Sequence, residues 1–179
     1  MAWNEKDFEE GMTKYIDDIY YQIFGNRLIK IYRSSREKNI DKKYLFMDIE
    51  LAIDTHLTFK NGSVLTFQEK SLRLSQFNHF TFEYYNDPQN KIEGEWFKLS
   101  AQLYFCGYAN KNQTGYEKYW IINVARLRTA LMSRYTLKEL ENKFLKFNKP
   151  PAKANFFAIP FDLLEQMSNV IIYKKTIEN

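Results

Sequence analysis

Apolar residues recur at intervals of three and four along the start of the chain. The recurring residues are Phe8, Met12, Tyr15, Ile19 and Ile23. This spacing places them on one helical face, so it predicts an amphipathic α-helix from Asn4 to Phe24. Gly25-Asn26 follows directly and is typical of the end of a helix.

From Tyr44 to Lys60 apolar residues occupy alternate positions, which predicts one long β-strand. They are Leu45, Met47, Ile49, Leu51, Ile53, Leu57 and Phe59. The polar face of this strand carries Asp48, Glu50, Asp54 and His56. Asn61-Gly62 then predicts a tight hairpin turn, because both residues tolerate the left-handed backbone that such turns need. The return strand is predicted from Ser63 to Lys70.

Shorter strands and helices alternate in the rest of the sequence. Further strands are predicted at residues 28–32, 80–85, 102–108, 119–124, 156–159 and 170–173, and helices at 125–134, 136–147 and 161–167. Thr136 with Glu139 three residues later forms a capping-box pattern at the start of one helix. No repeat or linker divides the chain, so we predict a single α/β domain over residues 1–179.

The residue content narrows the chemistry that the protein can perform. The chain has 179 residues, 45% of them apolar, but only one cysteine, Cys106, and two histidines. An internal disulfide and a Cys-x-x-Cys zinc site are therefore excluded, and a histidine-rich zinc site is disfavoured. A metal ion would need mainly oxygen ligands, which favours Mg²⁺ or Mn²⁺.

The charge of the chain is close to balanced, with a formal net charge of +4. This value excludes a histone-like polycation but permits nucleic-acid binding. The N-terminus is charged and no run of 18 apolar residues occurs. We therefore expect no signal peptide, no membrane partner and an intracellular, cytoplasmic location.

A candidate site lies on the two arms of the predicted hairpin. Asp54 is on the first arm, and Gln68-Glu69-Lys70 ends the second. Residues two apart on a strand point to the same side, so Gln68 and Lys70 share a face that pairing brings beside Asp54. Phosphodiester hydrolysis needs such a set, because hard oxygens must hold a divalent ion and a cation must offset the developing negative charge.

This order of residues resembles the PD-(D/E)xK nuclease superfamily, which has the restriction-endonuclease-like fold. The resemblance covers residues 5–130 and leaves 131–179 as a C-terminal extension of helices and strands. It implies a central mixed β-sheet flanked by helices. It also implies that Asp54 is a metal ligand and that Lys70 orients the attacking water or stabilises charge.

The chain departs from the strict motif two residues before the lysine, where Gln68 replaces Asp or Glu. The resemblance allows either the Gln68 amide oxygen or, in another frame, the Glu69 carboxylate as a catalytic and metal-binding group, with the Glu69 carbonyl as a further ligand. A β-bulge would be needed to turn Glu69 inward. The family often adds a glutamate from the first helix, for which Glu10 is preferred over Glu9.

Several basic residues are candidates for contacting a nucleic-acid backbone: Arg36, Lys38, Arg73, Arg126 and Lys146. The alternative is that they are ordinary solvated charges. Aromatic residues near predicted loops could stack on bases, with Tyr84, Tyr85, Trp96 and Tyr116 as candidates, although packing in the core is the alternative for each.

These features together predict a metal-dependent nuclease that uses Mg²⁺ or Mn²⁺ and acts on DNA. A homodimer is expected, because cutting both strands requires two sites. The alternative is a catalytically inactive nuclease-like fold that binds nucleic acid or protein, an idea motivated by Gln68.

Overall fold

The computed structural model describes residues 5–34, 42–73, 77–148 and 153–176. The helices are α1 (Glu5–Phe24), α2 (Lys42–Leu51), α3 (Glu95–Lys98), α4 (Val124–Arg134), α5 (Leu137–Phe144) and α6 (Phe161–Glu165), with a 3₁₀ turn at Gly25–Arg27. The strands are β1 (Leu28–Arg33), β2 (Thr55–Phe59), β3 (Val64–Leu72), β4 (His79–Asp87), β5 (Ile92–Glu93), β6 (Leu103–Ala109), β7 (Tyr116–Asn123), β8 (Leu145–Phe147), β9 (Asn155–Pro160) and β10 (Ile171–Thr176).

The central sheet has six strands in the order β1-β2-β3-β6-β7-β10. All neighbours are antiparallel except β3 and β6, which run parallel. Helices flank this sheet. The prediction of a single α/β domain with a central mixed sheet flanked by helices is therefore confirmed.

A second, four-stranded sheet was not predicted. Its order is β5-β4-β9-β8, and all its neighbours are antiparallel. It joins β4 to β9, a strand from the C-terminal extension, while β10 of the same extension completes the edge of the central sheet. The extension is thus paired directly with strands of residues 5–130.

The two faces of the central sheet bury separate cores. On one face α1 packs through Met12, Ile16 and Tyr20 against residues that include Phe67 and Phe105. On the other face lie the second sheet and the helices α3 to α6. Since side chains alternate along a strand, Phe67, Glu69 and Ser71 of β3 point towards α1. Gln68 and Lys70 point to the opposite side.

The predicted long strand from Tyr44 to Lys60 is wrong. Its first part forms α2, in which Met47 and Leu51, four residues apart, pack against the core. The helix ends there, since Ala52 has a left-handed φ of 47°, and β2 starts only at Thr55. Short apolar runs satisfy helical and extended periodicity alike, so alternation alone could not decide.

Two other local predictions are confirmed, whereas the helix predicted over 136–147 ends at Phe144 and the chain continues as β8. The hairpin turn lies at Asn61-Gly62, where Gly62 has a φ of 80° and donates its N–H to the Phe59 carbonyl at 2.9 Å. Thr136 and Glu139 form the complete capping box at the start of α5. No helix in the described parts of the chain is both long enough and apolar enough to cross a bilayer.

Candidate functional site

The sheet opens at the start of β2, where β3 continues beyond its partner. Thr55, the first residue of β2, pairs with Phe67. The next five residues of β3, Gln68 to Leu72, pair with β6 on their other side. The described part of the chain places no strand of the sheet against their β2 side, so a notch forms there.

Asp54 occupies this notch and is fixed at four points. Its N–H donates to the Phe67 carbonyl at 2.9 Å, and its Oδ2 accepts from the Glu69 N–H at 2.8 Å. Its carbonyl accepts both the N–H of Ser34, at 2.8 Å, and the Ser34 hydroxyl, at 2.9 Å. The Asp54 carboxylate is therefore held against the unpaired edge of β3 by backbone geometry.

A pocket of about 200 Å³ opens at the notch and is strongly acidic. The acidic residues at its border are Glu9, Asp48, Asp54, Glu69, Glu83 and Glu95, and the other polar residues are Gln68, Lys70 and Lys98. They come from α1, α2, α3, β3, β4 and the segment before β2. The structure thus brings Asp54, Gln68 and Lys70 to one cavity, as the hairpin reasoning predicted.

The first helix contributes Glu9 to this pocket. Glu9 Oε1 lies 3.6 Å from Lys70 Nζ, and the two side chains are 40% and 33% exposed. Glu10, the preferred residue in the sequence, is exposed and does not border the pocket. One residue along a helix turns the side chain by about 100°, so the two glutamates cannot share a position.

The Glu69 side chain turns to the other face of the sheet. Its Oε1 accepts from the Tyr20 hydroxyl at 3.0 Å, and its Oε2 forms an ion pair with Arg33. The same guanidinium contacts Asp17 and donates to Thr55 Oγ1 at 2.7 Å. Both carboxylate oxygens are engaged beneath α1, and β3 shows no bulge that would turn Glu69 inward. Of the two alternatives, Gln68 and Glu69, it is the Gln68 side chain that points to the pocket.

Burial and mutual repulsion shape the acid–base behaviour of the pocket. Burial, reinforced by the negative charges of Glu69, Asp48 and Glu95, raises the pKa of Asp54 well above its ordinary value. Burial also raises the pKa of Asp48, and it raises the pKa of Glu95 to about 7 although Lys70 opposes the shift. The pocket has more carboxyl groups than its two lysines can balance, and their raised pKa values reflect this crowding, so the environment favours a cation.

The donor set can be tested against an oxygen-coordinated metal ion. Gln68 Oε1 is buried and has no hydrogen-bond partner among the described residues, so it is available as a ligand. Within the same parts of the chain no three His, Cys, Asp or Glu side chains lie close enough together to hold a metal. A bound ion would therefore need the amide oxygen of Gln68 in addition to carboxylates.

The candidate nucleic-acid contacts are spread over the molecule. Arg73 follows β3 and lies with its guanidinium 4.0 Å from the centre of the Phe8 ring. Arg126 on α4 and Lys146 on β8 are exposed and do not border the pocket. Arg36 and Lys38 lie outside the described residues.

Three of the four aromatic residues considered for base stacking belong to the cores. Tyr84, Trp96 and Tyr116 are buried, so a base cannot stack on them without repacking. Tyr85 is half-buried and contacts Phe97. For the three buried residues, the packing alternative is the correct one.

Sequence reasoning missed Glu83 and Glu95, which reach the pocket from β4 and α3. Gly94 provides the one local signal, because a Cβ there would lie 2.9 Å from main-chain atoms of Glu83 and Tyr84. Only glycine lets the start of α3 approach β4 this closely, and its N–H donates to the Tyr84 carbonyl at 2.9 Å. That close approach places Glu95 at the pocket.

No family model matches the chain, and no curated protein or solved structure matches it.

Proposed function

We propose that the protein is a metal-dependent nuclease that hydrolyses phosphodiester bonds, with DNA as its substrate and Mg²⁺ or Mn²⁺ as its cofactor. The observation that carries the proposal is the meeting of Asp54, Gln68 and Lys70 in one pocket at the notch. The order of these residues, after a helix that adds Glu9, is the order on which the resemblance to PD-(D/E)xK nucleases rests.

Asp54 and the Gln68 amide oxygen would hold the ion, and the main-chain carbonyl of Glu69 would be a further oxygen ligand. The fit is supported by the unpartnered Gln68 Oε1 and by the excess of carboxylates. When bound, such an ion supplies Lewis-acid polarisation of the phosphate and a lowered pKa for a bound water.

Lys70 has the electrostatic role. Lys70 borders the pocket, and its ammonium group pairs with Glu9. A cation in this position stabilises the negative charge that develops on the phosphate oxygens as the bond to the attacking water forms. The Glu69 N–H, by donating to Asp54 Oδ2, keeps the Asp54 carboxylate aligned with the same position.

The acidity of the pocket makes the activity conditional on the ion. A DNA phosphate brought to a cavity bordered by several carboxylates is repelled until a divalent cation offsets them. We therefore expect no cleavage in the presence of a chelator.

The test is cleavage of duplex, single-stranded and branched DNA in Mg²⁺ or Mn²⁺. Lys70→Ala and Asp54→Asn should each lower the rate by about 10²–10³-fold, the usual loss for one electrostatic group of an active site. Lys111→Ala, which removes an exposed lysine in the β6–β7 turn, is the matched control and should cleave like wild type. Identical rates for wild type and Lys70→Ala would contradict the catalytic assignment.

A second candidate is an inactive nuclease-like fold that binds nucleic acid or protein. It is favoured by one observation, the lack of a group of three metal-binding His, Cys, Asp or Glu side chains in the described regions. A Mn²⁺ titration separates the two, because an inactive site should show no ion binding that depends on Asp54.

Native mass measurement tests the proposed homodimer, in which each copy would cut one strand.

A further inference from the structure

Three buried polar atoms have no hydrogen-bond partner, and they belong to two residues that border the pocket and to the residue of β6 that pairs with one of them. They are Gln68 Oε1, Glu95 Oε1 and the Tyr104 hydroxyl, and the absence of a partner holds for the residues that the structure describes. Gln68 and Tyr104 are paired across β3 and β6, which places their side chains side by side on one face. Tyr104 is 0% exposed, so water at the surface cannot serve its hydroxyl.

Glu95 reaches the pocket from the start of α3. Its Oε2 accepts from the Glu83 N–H at 3.4 Å, which orients the carboxylate and leaves Oε1 unused. The Glu95 carboxylate is attracted by Lys70 and repels Asp54. Glu95 therefore interacts electrostatically with both of these groups of the pocket.

We propose that Glu95 is a ligand of the divalent ion and supplies the carboxylate that the Gln68 position lacks. The ion would then have Asp54, Gln68 Oε1 and Glu95 Oε1 as side-chain ligands. This inference rests on the metal site of the proposed function. It assigns to Glu95 on α3 the carboxylate ligand that the nuclease motif has at the position of Gln68 on the hairpin.

Charge balance supports this set. Asp54 with a neutral amide offers one negative charge, while Asp54 with Glu95 offers two and neutralises a divalent ion. A buried carboxylate oxygen without a donor is unfavourable, and coordination would satisfy it. Burial and the negative charge of Glu95 both raise the pKa of Tyr104, so its hydroxyl keeps its proton and adds no negative charge to the set.

The experiment measures metal binding and stability with the full chain and no DNA. Calorimetric titration with MnCl₂ compares wild type with Glu95→Gln, Glu95→Asp and Asp54→Asn. The matched control is Glu93→Gln, because Glu93 is exposed and lies two residues from Glu95. Glu95→Gln should weaken Mn²⁺ binding by at least about tenfold, since even residues outside the ligand set commonly change affinity by that factor. Glu95→Asp should retain part of the affinity, and Glu93→Gln should bind like wild type.

Thermal unfolding distinguishes a ligand from a structural residue. Without metal, Glu95→Gln should unfold at a higher temperature than wild type, because it removes a buried charge that repels Asp54. With saturating Mn²⁺, wild type should gain stability and Glu95→Gln should gain less. A lower melting temperature of metal-free Glu95→Gln would instead mark Glu95 as structural and overturn the inference.

The possible failures can be separated. Wild-type affinity in Glu95→Gln together with weak binding in Asp54→Asn overturns the role of Glu95 and leaves the proposed nuclease standing. Normal Mn²⁺ binding by Lys70→Ala without any cleavage by wild type contradicts the nuclease and leaves the ligand set intact. Absence of Mn²⁺ binding by wild type overturns both.

Discussion

The buried ion pair beneath α1 allows a quantitative test of how the site is supported. Arg33 bridges Asp17 and Glu69, and Glu69 in turn provides the N–H that holds Asp54. Arg33→Met replaces the guanidinium with an uncharged side chain that still packs. It leaves the Glu69 carboxylate, whose side chain is 9% exposed, with the Tyr20 hydroxyl as its remaining donor in the described network.

The size of the effect follows from burial. Removing one partner of a buried ion pair costs about 3–5 kcal/mol, because an uncompensated charge remains. The Asp17 side chain is 32% exposed, so water screens its pairing and the loss should be near the lower value, about 3 kcal/mol. For a chain of this length each kcal/mol lowers the melting temperature by about 2–4 °C, so a decrease of about 6–12 °C is expected.

Urea unfolding followed by tryptophan fluorescence measures this loss. Arg126→Met is the matched control, because Arg126 is exposed and its replacement should change the free energy of unfolding by less than about 0.5 kcal/mol. The double variant Arg33→Met/Glu69→Leu should recover most of the stability, since it removes the stranded charge. A loss below about 1 kcal/mol for Arg33→Met would refute the reasoning, because a buried charge would then have little cost.

Four further outcomes are expected. Gly94→Ala should destabilise the fold by about 1–3 kcal/mol in urea unfolding, because its Cβ would meet main-chain atoms of Glu83 at 2.9 Å. Thr136→Ala should cost about 1 kcal/mol in the same assay through loss of the helix cap. Hydrogen bonds from Asn90, with a smaller effect of Lys153, lower the pKa of Asp87. Asp87→Asn should therefore be less stable than wild type by its full amount above the unfolded-state pKa of about 3.9. The difference should vanish as the pH falls through the lower folded-state pKa, which thermal unfolding at a series of pH values can check. Cys106 is fully buried, and its burial raises the pKa of the thiol to about 12, so iodoacetamide at pH 8 should label it only after denaturation, as mass spectrometry would show.

Local patterns in the sequence were sufficient for much of the fold. The apolar face of α1, the Asn61-Gly62 turn and the Thr136 cap each depend on residues within one or two turns of the chain. Period-two alternation also placed Gln68 and Lys70 on one face of β3 and put Asp54 beside it. These features were predictable because the chain's own stereochemistry determines them.

Other features depended on contacts between distant segments. Alternation was consistent with both a strand and α2, and packing of Met47 and Leu51 against the core decided for the helix. The second sheet joins β4 to β9, some 75 residues apart, so no local pattern indicated it. A pairing between strands this far apart in sequence depends on long-range contacts, so local sequence patterns cannot predict it.

The candidate site depends both on local sequence patterns and on contacts between distant segments. The sequence by itself determined that a metal ion would need oxygen ligands, and that Asp54, Gln68 and Lys70 could meet across a hairpin. Only the tertiary structure decided that Glu69 turns to Arg33, that Glu9 rather than Glu10 meets Lys70, and that Glu95 borders the same pocket. The reason is physical: a strand or helix fixes where its own side chains point, but burial and charge pairing with other elements decide which of them share a cavity.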